Sequence, residues 1–274
     1  MNIDLGTFGI WQGANDVRPE TAAEIEALGY GALWVGRSPR GDLAVVEEVL
    51  DATESMPVAT GIVNMWRETA ATVAASYHRI NQRHPNRFLL GVGIGHPEAT
   101  SEYRKPYDTI LSYLDDLDQA GVPREHLCLA ALGPKVLRVS AERTAGAHPY
   151  LTTHRHTRLA REILGDGVLL APEQTVVVER DPDESVELAR KFVQRYLRLV
   201  NYRRNLLREG WTEQDISNGG SEALVPELVL SGSGDNVAAG IRTHLDAGAD
   251  HVCIQDIGPD PLASFRALAG VLFG

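Results

Sequence analysis

Cysteine, lysine and long apolar runs are scarce in this 274-residue chain. The two cysteines, Cys128 and Cys253, each lie within an apolar run that predicts a buried strand. We therefore expect two core thiols in a reducing cytoplasm rather than a disulfide framework. Because no run of 18 or more apolar residues occurs, we expect no membrane span. The N-terminus carries Asp4 and lacks the basic and apolar regions of a signal peptide.

The sequence also lacks a net positive charge and the residue patterns of a metal site. The net charge of −11 argues against a nucleic-acid surface or an anionic membrane as partner. The expected partner is a small-molecule substrate. Histidines do not cluster with cysteines or carboxylates, so we predict no metal site. The sequence His154-Arg155-His156 is expected to be a solvent-exposed basic helix start. A metal-dependent hydrolase is therefore the least favoured class.

Short β-prone runs alternate with helical stretches along the whole chain, which predicts βαβ units and a parallel sheet. Eight such strands in a chain close to the usual barrel length of about 250 residues favour a (β/α)8 barrel over an open sheet. No linker breaks the pattern, so residues 1–274 are expected to form one domain. The main insertion lies between strands seven and eight and begins with a long helix from Asp183 to Arg208. The predicted strands are Ile3–Ile10, Ala32–Val35, Pro57–Val63, Phe88–Val92, His126–Ala131, Ala147–Leu151, Thr175–Val178 and His251–Ile257.

Active sites of such barrels lie at the carboxyl ends of the strands. At the end of strand four stands Gly91-Val92-Gly93-Ile94-Gly95-His96, where glycines allow a planar ligand to approach the backbone closely. The alternative is that these small residues only relieve crowding inside the barrel. A dinucleotide fingerprint is disfavoured, because the run does not open the first βα unit or have the required spacing. His96 ends the run, and its imidazole is a candidate proton donor or acceptor near neutral pH.

Two turns have the composition of a phosphate site. Gly133-Pro134-Lys135 lies where a strand passes into a helix, and a helix N-terminus with a nearby lysine attracts anions. An ordinary turn with a solvated lysine is the alternative. The sequence 231–236, Ser-Gly-Ser-Gly-Asp-Asn, also precedes a helix, but capping by Ser233 or Asp235 explains it more simply.

Four segments together resemble the luciferase-like oxidoreductases, and within them the actinobacterial branch that depends on coenzyme F420. The resemblance covers essentially the whole chain, and it depends on the order and spacing of the motifs. It implies a (β/α)8 barrel, commonly a homodimer, that holds coenzyme F420 or FMN at the carboxyl ends of its strands. The four segments are 88–95, 130–134, 146–150 and 247–252.

The resemblance also implies roles for individual residues. Gly61-Ile62 matches a cis peptide bond that forms a bulge behind the cofactor ring, and Asn64 matches a polar residue bonded to that ring. Gly93 and Gly95 would lie beside the ring. The remaining cofactor contacts would come from the phosphate turn and the tail-binding positions: Leu132, Gly133, Pro134, Lys135, Tyr150 and Thr152.

The chain departs from the family pattern at two catalytic positions. Arg37-Ser38 follows strand two where several relatives have Asp-His, and His96 stands where they have a glutamate. Oxidation of an alcohol by a histidine base after strand two is therefore not expected. His96 and Arg37 are the candidates for proton donation, and Trp11 and Trp66 are candidates for the substrate wall. Hydride transfer with coenzyme F420 is the favoured activity, an FMN-dependent monooxygenase is one alternative, and a cofactor-binding barrel without turnover is another.

Overall fold

The computed structural model describes residues 3–96 and 105–274. The described part contains short parallel strands separated by helices along the chain. The strands are β1 (Phe8–Gly13), β2 (Ala32–Gly36), β3 (Val58–Gly61), β4 (Val63–Asn64), β5 (Phe88–Gly93), β6 (Leu127–Leu129), β7 (Gly146–Ala147), β8 (Leu169–Leu170), β9 (Glu173–Val178), β10 (Val229–Gly232) and β11 (Val252–Asp256). The helices are α1 (Pro19–Ala27), α2 (Ala44–Ala52), α3 (Ala70–Arg83), α4 (Pro106–Gln119), α5 (Pro134–Arg143), α6 (His154–Leu164), α7 (Pro182–Tyr196), α8 (Val200–Arg208), α9 (Glu213–Ile216), α10 (Val225–Leu228), α11 (Gly234–Asp246) and α12 (Pro261–Leu272).

The strands close into a barrel. Every strand pair is parallel, and hydrogen-bonded neighbours follow the order β10-β9-β11-β1-β2-β3-β5-β6-β7-β8, with β4 beside β5. The segments β8 and β9 are consecutive parts of one stretch of chain, so the two sides of this path meet. Two backbone hydrogen bonds complete the closure: Glu173 donates to the Pro149 carbonyl at 2.8 Å, and Cys253 donates to the Pro172 carbonyl at 2.9 Å. Consequently the carboxyl ends of all these strands lie around one mouth.

The third barrel strand contains a bulge. Val58 pairs with Phe88, but Val63 pairs with Val92, so one extra residue is present between β3 and β4 relative to β5. Such an insertion bends a strand and changes the direction of the side chains that follow it. The Gly61–Ile62 peptide bond within this segment is cis, at the position that the resemblance indicated.

The barrel interior is filled by side chains rather than open. Trp34, Ala59, Leu89, Cys128 and Cys253 are fully buried in one cluster, which confirms that both thiols belong to the core. The buried Trp34 indole is paired as burial requires: it donates to His251 Nε2 at 3.0 Å. A ligand must therefore bind at the mouth of the barrel.

The helices of the insertion between the last two barrel strands differ from the predicted ones. The single helix expected from Asp183 to Arg208 is wrong, because the chain turns at residues 197–199 and forms two helices. In one continuous helix, residues six positions apart would point in widely different directions. The turn instead brings the rings of Tyr196 and Tyr202 to 5.4 Å from each other. Further along the insertion, α10 ends at Leu228 and β10 follows it beside β9.

Candidate active site

The indole of Trp11 forms the centre of the barrel mouth. A Cβ built on Gly36 would lie 1.8 Å from Trp11 Cζ2, so the absence of a side chain on β2 makes room for this ring. A Cβ on Gly61 would lie 2.7 Å from Trp11 Nε1, which places the indole beside the bulged strand as well. Trp11 is buried, and its Nε1 has no hydrogen-bond partner among the described residues. A buried donor without a hydrogen-bond acceptor lowers the stability of the fold, and such groups are found mainly at functional sites.

Tyrosines from the barrel and the insertion form a connected cluster next to Trp11. Tyr150 contacts the Trp11 ring at a centroid distance of 5.4 Å. Its hydroxyl donates to Gln255 Oε1 at 2.8 Å, so the Tyr196 hydroxyl, 2.9 Å away, is the donor to Tyr150. Burial raises the pKa of Tyr150 well above its usual value, so the hydroxyl remains protonated at neutral pH. The cluster therefore links β11 to the insertion through a directed hydrogen-bond chain.

His96 lies on the other side of this cluster. Its ring is 5.0 Å from the ring of Tyr202, which comes from α8. The same helix contacts the end of β5 through Asn201, whose side-chain amide donates to the Gly95 carbonyl at 3.3 Å. The insertion thus covers the segment that carries His96, and residues 97–104, which follow it, lie outside the described part of the chain.

The glycines at the end of β5 each have a reason within the protein. A Cβ on Gly91 would lie 1.8 Å from the Thr60 carbonyl oxygen, and one on Gly93 would lie 2.8 Å from Ala130 Cβ. Gly95 has a φ of +65°, and a Cβ there would lie 2.6 Å from the side-chain amide of Asn64. Packing therefore suffices to explain the glycine run, which gives no independent indication of a ring beside it. Asn64 is buried, and its Oδ1 accepts from the Trp66 backbone at 2.9 Å.

The turn at Gly133 has the features of an anion site. Helix α5 begins at Pro134, and Gly133 at its N-cap supplies no side-chain acceptor for the first turn. The Arg208 guanidinium from the end of α8 lies close by: its Nη2 would be 3.6 Å from a Cβ on Gly133. Lys135 is exposed in the first turn of the helix. The Val136 and Leu137 amides already donate to the Gly133 carbonyl, so the positive end of the helix and the guanidinium are what attract an anion here.

The exposed position predicted for the His154-Arg155-His156 segment is wrong at His156. This side chain is buried, and its Nε2 donates to the Leu132 carbonyl at 2.9 Å, which supports the turn before Gly133. Desolvation, opposed by that hydrogen bond and reinforced by Arg208, lowers the pKa of His156 to about 4. The ring is therefore neutral and structural. Its helical neighbours cannot signal this burial, because the contact comes from the preceding loop.

Two buried carboxyl groups lie behind the mouth, and sequence reasoning missed both. Glu173 accepts from the Thr175 hydroxyl at 2.5 Å and from the Leu151 amide at 3.1 Å. Glu209 accepts from the Thr153 hydroxyl at 2.7 Å. Desolvation raises the pKa of each to about 7. Nearby Thr152 is buried, and its hydroxyl has no hydrogen-bond partner among the described residues.

A cleft of about 630 Å³ opens at the carboxyl ends of β1 and β11 and is bounded by α7. Trp11 and Gln12 line it from β1, and Gln255 and Asp256 from β11. Arg37 lies at the rim, exposed, with its guanidinium 2.8 Å from the Asp16 carboxylate. Volumes of this size are typical of small-molecule sites. We call this space the α7 cleft.

The structure separates the predicted site residues into two groups. Trp11 and Arg37 line the α7 cleft, and Tyr150 contacts Trp11 from behind. Ile62, Asn64, Gly95 and the Gly133 turn lie toward the β4–β6 side, with His96 beside Tyr202. The residues that sequence reasoning missed come mainly from the insertion, namely Lys191, Arg195, Tyr196, Tyr202 and Arg208. The composition of the insertion gave no signal that these side chains face the mouth.

The fold is shared with solved structures of low sequence identity. An F420-dependent secondary alcohol dehydrogenase, solved with an F420–acetone adduct, is similar over 97% of this chain and 98% of its own, with a TM-score of 0.76 and 16% identity. The coenzyme F420-dependent tetrahydromethanopterin reductase of Methanopyrus kandleri is similar over 96% and 97%, with a TM-score of 0.69 and 15% identity. The oxygenating constituent of 3,6-diketocamphane monooxygenase from Pseudomonas putida, solved with FMN, is similar over 96% of each chain, with a TM-score of 0.71 and 14% identity.

These likenesses confirm the predicted (β/α)8 barrel fold. The predicted insertion between its last two barrel strands is also present. No protein-family model matches the sequence, and no curated protein sequence does.

None of the helices in the described ranges is long and apolar enough to cross a membrane. Residues 3–96 and 105–274 contain no group of three or more histidine, cysteine or carboxylate side chains placed to hold a metal ion.

Proposed function

We propose that this protein is a luciferase-like oxidoreductase that binds coenzyme F420 at the barrel mouth and transfers a hydride between it and a small organic substrate. The observation that carries the proposal is the position of the Arg208 guanidinium beside Gly133, at a helix N-terminus without a side-chain cap. Phosphate-binding sites in barrel enzymes are built at this face from loops and helix N-termini. Solved proteins of the same fold carry F420 or FMN, and both cofactors contain a phosphate.

The residues around this anion site suit the rest of such a cofactor. Gly61, Ile62, Gly95, Leu132 and Gly133 are all partly exposed, so they line a surface that a ligand can reach. In the proposed arrangement the bulge at Gly61-Ile62, with Asn64, Gly93 and Gly95, holds the ring. Leu132, Gly133, Pro134 and Lys135 hold the phosphate, and Tyr150 and Thr152 line the side-chain tail. When bound, the deazaflavin supplies or accepts the hydride.

The protein's own contribution is to orient the reactants, exclude water and provide a proton. Helix α8 covers the mouth through the contacts of Asn201 and Tyr202 with Gly95 and His96. His96 is the proposed proton donor or acceptor, because an imidazole changes charge near neutral pH. Trp11 and Trp66 are proposed as substrate walls. Arg37 is proposed as an electrostatic contact at the rim, where its pairing with Asp16 holds it.

Titration of the purified protein with coenzyme F420 and with FMN tests this assignment. We expect micromolar or tighter binding of coenzyme F420, followed as a change in its absorbance or fluorescence. Arg208→Met should weaken binding at least about tenfold through loss of a charge-assisted phosphate contact. Arg204→Met removes an exposed arginine of the same helix and should leave the affinity close to that of the wild type.

The outcomes separate the candidate functions. Tight FMN binding without F420 binding would replace the proposal by an FMN-dependent monooxygenase. Stereospecific hydride exchange at C5 of bound F420 would demonstrate redox competence, whereas binding without any exchange would indicate a carrier barrel. If neither cofactor binds, the redox function is wrong.

A further inference from the structure

The α7 cleft lies beside the proposed cofactor surface and is lined by different residues. Its floor is formed by the ends of β1 and β11, and its outer wall by one face of α7. Trp11 lies between the two spaces, because it lines the cleft and also contacts Tyr150. A molecule in the cleft would therefore lie next to the barrel mouth without occupying the Gly133 turn.

Two cations on the wall of this cleft have no charged partner within the part of the chain that the structure describes. Lys191 and Arg195 are one helical turn apart on α7, and both line the cleft. Neither forms an ion pair or a hydrogen bond with any residue that the structure describes. They are exposed, so their substitution should not disturb the core.

Each carboxylate around the cleft is engaged by another group through at least one oxygen, and Asp256 Oδ2 has no partner among the described residues. Asp16 is paired with Arg37 at 2.8 Å. Asp260 caps α12 by accepting from the Ala263 amide at 3.2 Å, and Asp256 accepts from the Gly258 amide at 2.8 Å. Lys191 and Arg195 are therefore the charged groups of this cleft that have no ion-pair or hydrogen-bond partner among the described residues.

The inner surface is aromatic with a few polar atoms. Phe192 and Tyr196 extend from α7 beside the two cations, and the Trp11 ring forms part of the floor. Trp11 Nε1 and Gln12 Oε1 are both buried without a hydrogen-bond partner among the described residues. A flat apolar body can bury itself against such rings, and its anionic group can reach the cations at the rim.

We propose that the α7 cleft is a substrate site for planar aromatic carboxylates, with Lys191 and Arg195 binding the carboxylate and Trp11, Phe192 and Tyr196 contacting the ring. The identification of this ligand as the substrate rests on the proposed redox function. Its binding does not, because the residues involved are separate from the Gly133 turn.

Calorimetric titration of the purified full chain with 2-naphthoate and with neutral 2-naphthamide tests the assignment. The measurement is made with and without saturating coenzyme F420, so a failure of cofactor binding leaves it interpretable. We expect the carboxylate to bind at least tenfold tighter than the amide at low ionic strength, since only the carboxylate meets both cations. Equal affinities, or no binding of either compound at millimolar concentration, would overturn the proposal.

Variants on α7 locate the binding site. The double variant Lys191→Met/Arg195→Met should reduce the affinity for naphthoate to that for naphthamide and leave naphthamide binding unchanged. Arg198→Met, an exposed arginine just beyond the end of α7 and outside the cleft, is the matched control and should bind both compounds as the wild type does. Unchanged naphthoate binding in the double variant would refute the assignment. An equal loss of affinity for coenzyme F420 in the double variant would also refute the assignment, because it would show that Lys191 and Arg195 bind the cofactor.

Discussion

The indole ring of Trp11 occupies the space that a side chain at position 36 would fill. A Cβ on Gly36 would approach Trp11 Cζ2 to 1.8 Å, far inside van der Waals contact. The two residues lie on adjacent strands, two positions apart in register: Trp11 pairs with Trp34, and Gly13 pairs with Gly36. The position of the indole between the α7 cleft and the Tyr150 cluster therefore depends on a glycine in β2.

We predict that Gly36→Ala lowers the free energy of unfolding by about 1–3 kcal/mol, the usual cost of overpacking. Gly270→Ala is the matched control, because a Cβ there meets nothing within 4 Å and the residue lies in helix α12. The control should be neutral or stabilising by up to about 1 kcal/mol, since alanine favours a helix more than glycine does. Urea denaturation of the three proteins measures both effects. Equal stabilities for the two variants would show that Trp11 moves away without cost.

At the proposed phosphate turn, Gly133→Asp should abolish binding of the cofactor. The new carboxylate would occupy the anion site and pair with Arg208. Gly133→Ala is expected to bind nearly normally, because its Cβ would lie 3.6 Å from the nearest Arg208 atom, an ordinary contact. Fluorescence titration of both variants checks the prediction. Unchanged affinity in the aspartate variant would refute the phosphate assignment.

For catalysis, His96→Ala should leave cofactor affinity within about tenfold but lower turnover by about 10²–10⁴, the range for a lost general acid or base. Tyr202→Phe keeps the ring that contacts His96 and should retain most of the activity. Steady-state kinetics with a substrate found by profiling gives kcat for each protein. A kcat for His96→Ala close to that of the wild type would remove His96 from the mechanism.

The buried Glu209 predicts a specific pH dependence of stability. Burial raises its pKa to about 7 in the folded protein, above its unfolded value, so the folded state binds the proton more tightly. Its contribution to stability is therefore fully present below about pH 4.5 and is lost as pH rises through about 7.

Glu209→Gln should remove this dependence. The uncharged amide can still accept from Asn205 and donate to the Thr153 hydroxyl, the partners of the glutamate. As pH rises from 5 to 8, the free energy of unfolding of the variant should increase relative to that of the wild type by on the order of 2 kcal/mol. Glu222→Gln, at an exposed position, is the control and should follow the wild type at every pH. Parallel stability curves for Glu209→Gln and wild type would show that Glu209 is ionised throughout.

The sequence determined the architecture and the candidate positions on its strands. Alternating apolar runs and helical stretches are local patterns, and the barrel they predicted is the observed fold. The burial of Cys128 and Cys253 followed from the same patterns, as did the capping of α11 by Ser233, which accepts from the Asn236 amide at 3.3 Å. Because strand ends meet at one face of a barrel, the sequence also indicated that Trp11, Arg37 and Tyr150 would lie there.

Only the tertiary structure decided which side chains from distant parts of the chain meet. The turn at residues 197–199 depends on packing of the insertion against the mouth, and it places Tyr196 against Tyr150 from 46 positions along the chain. The position of Arg208 beside Gly133 and the burial of His156 arise in the same way, and so does the placement of Lys191 and Arg195, which have no partner among the described residues. Periodicity reports which face of an element is buried, but it does not specify the partner of that face. The partner is selected by packing of the whole chain, and the proposed sites therefore appeared only in three dimensions.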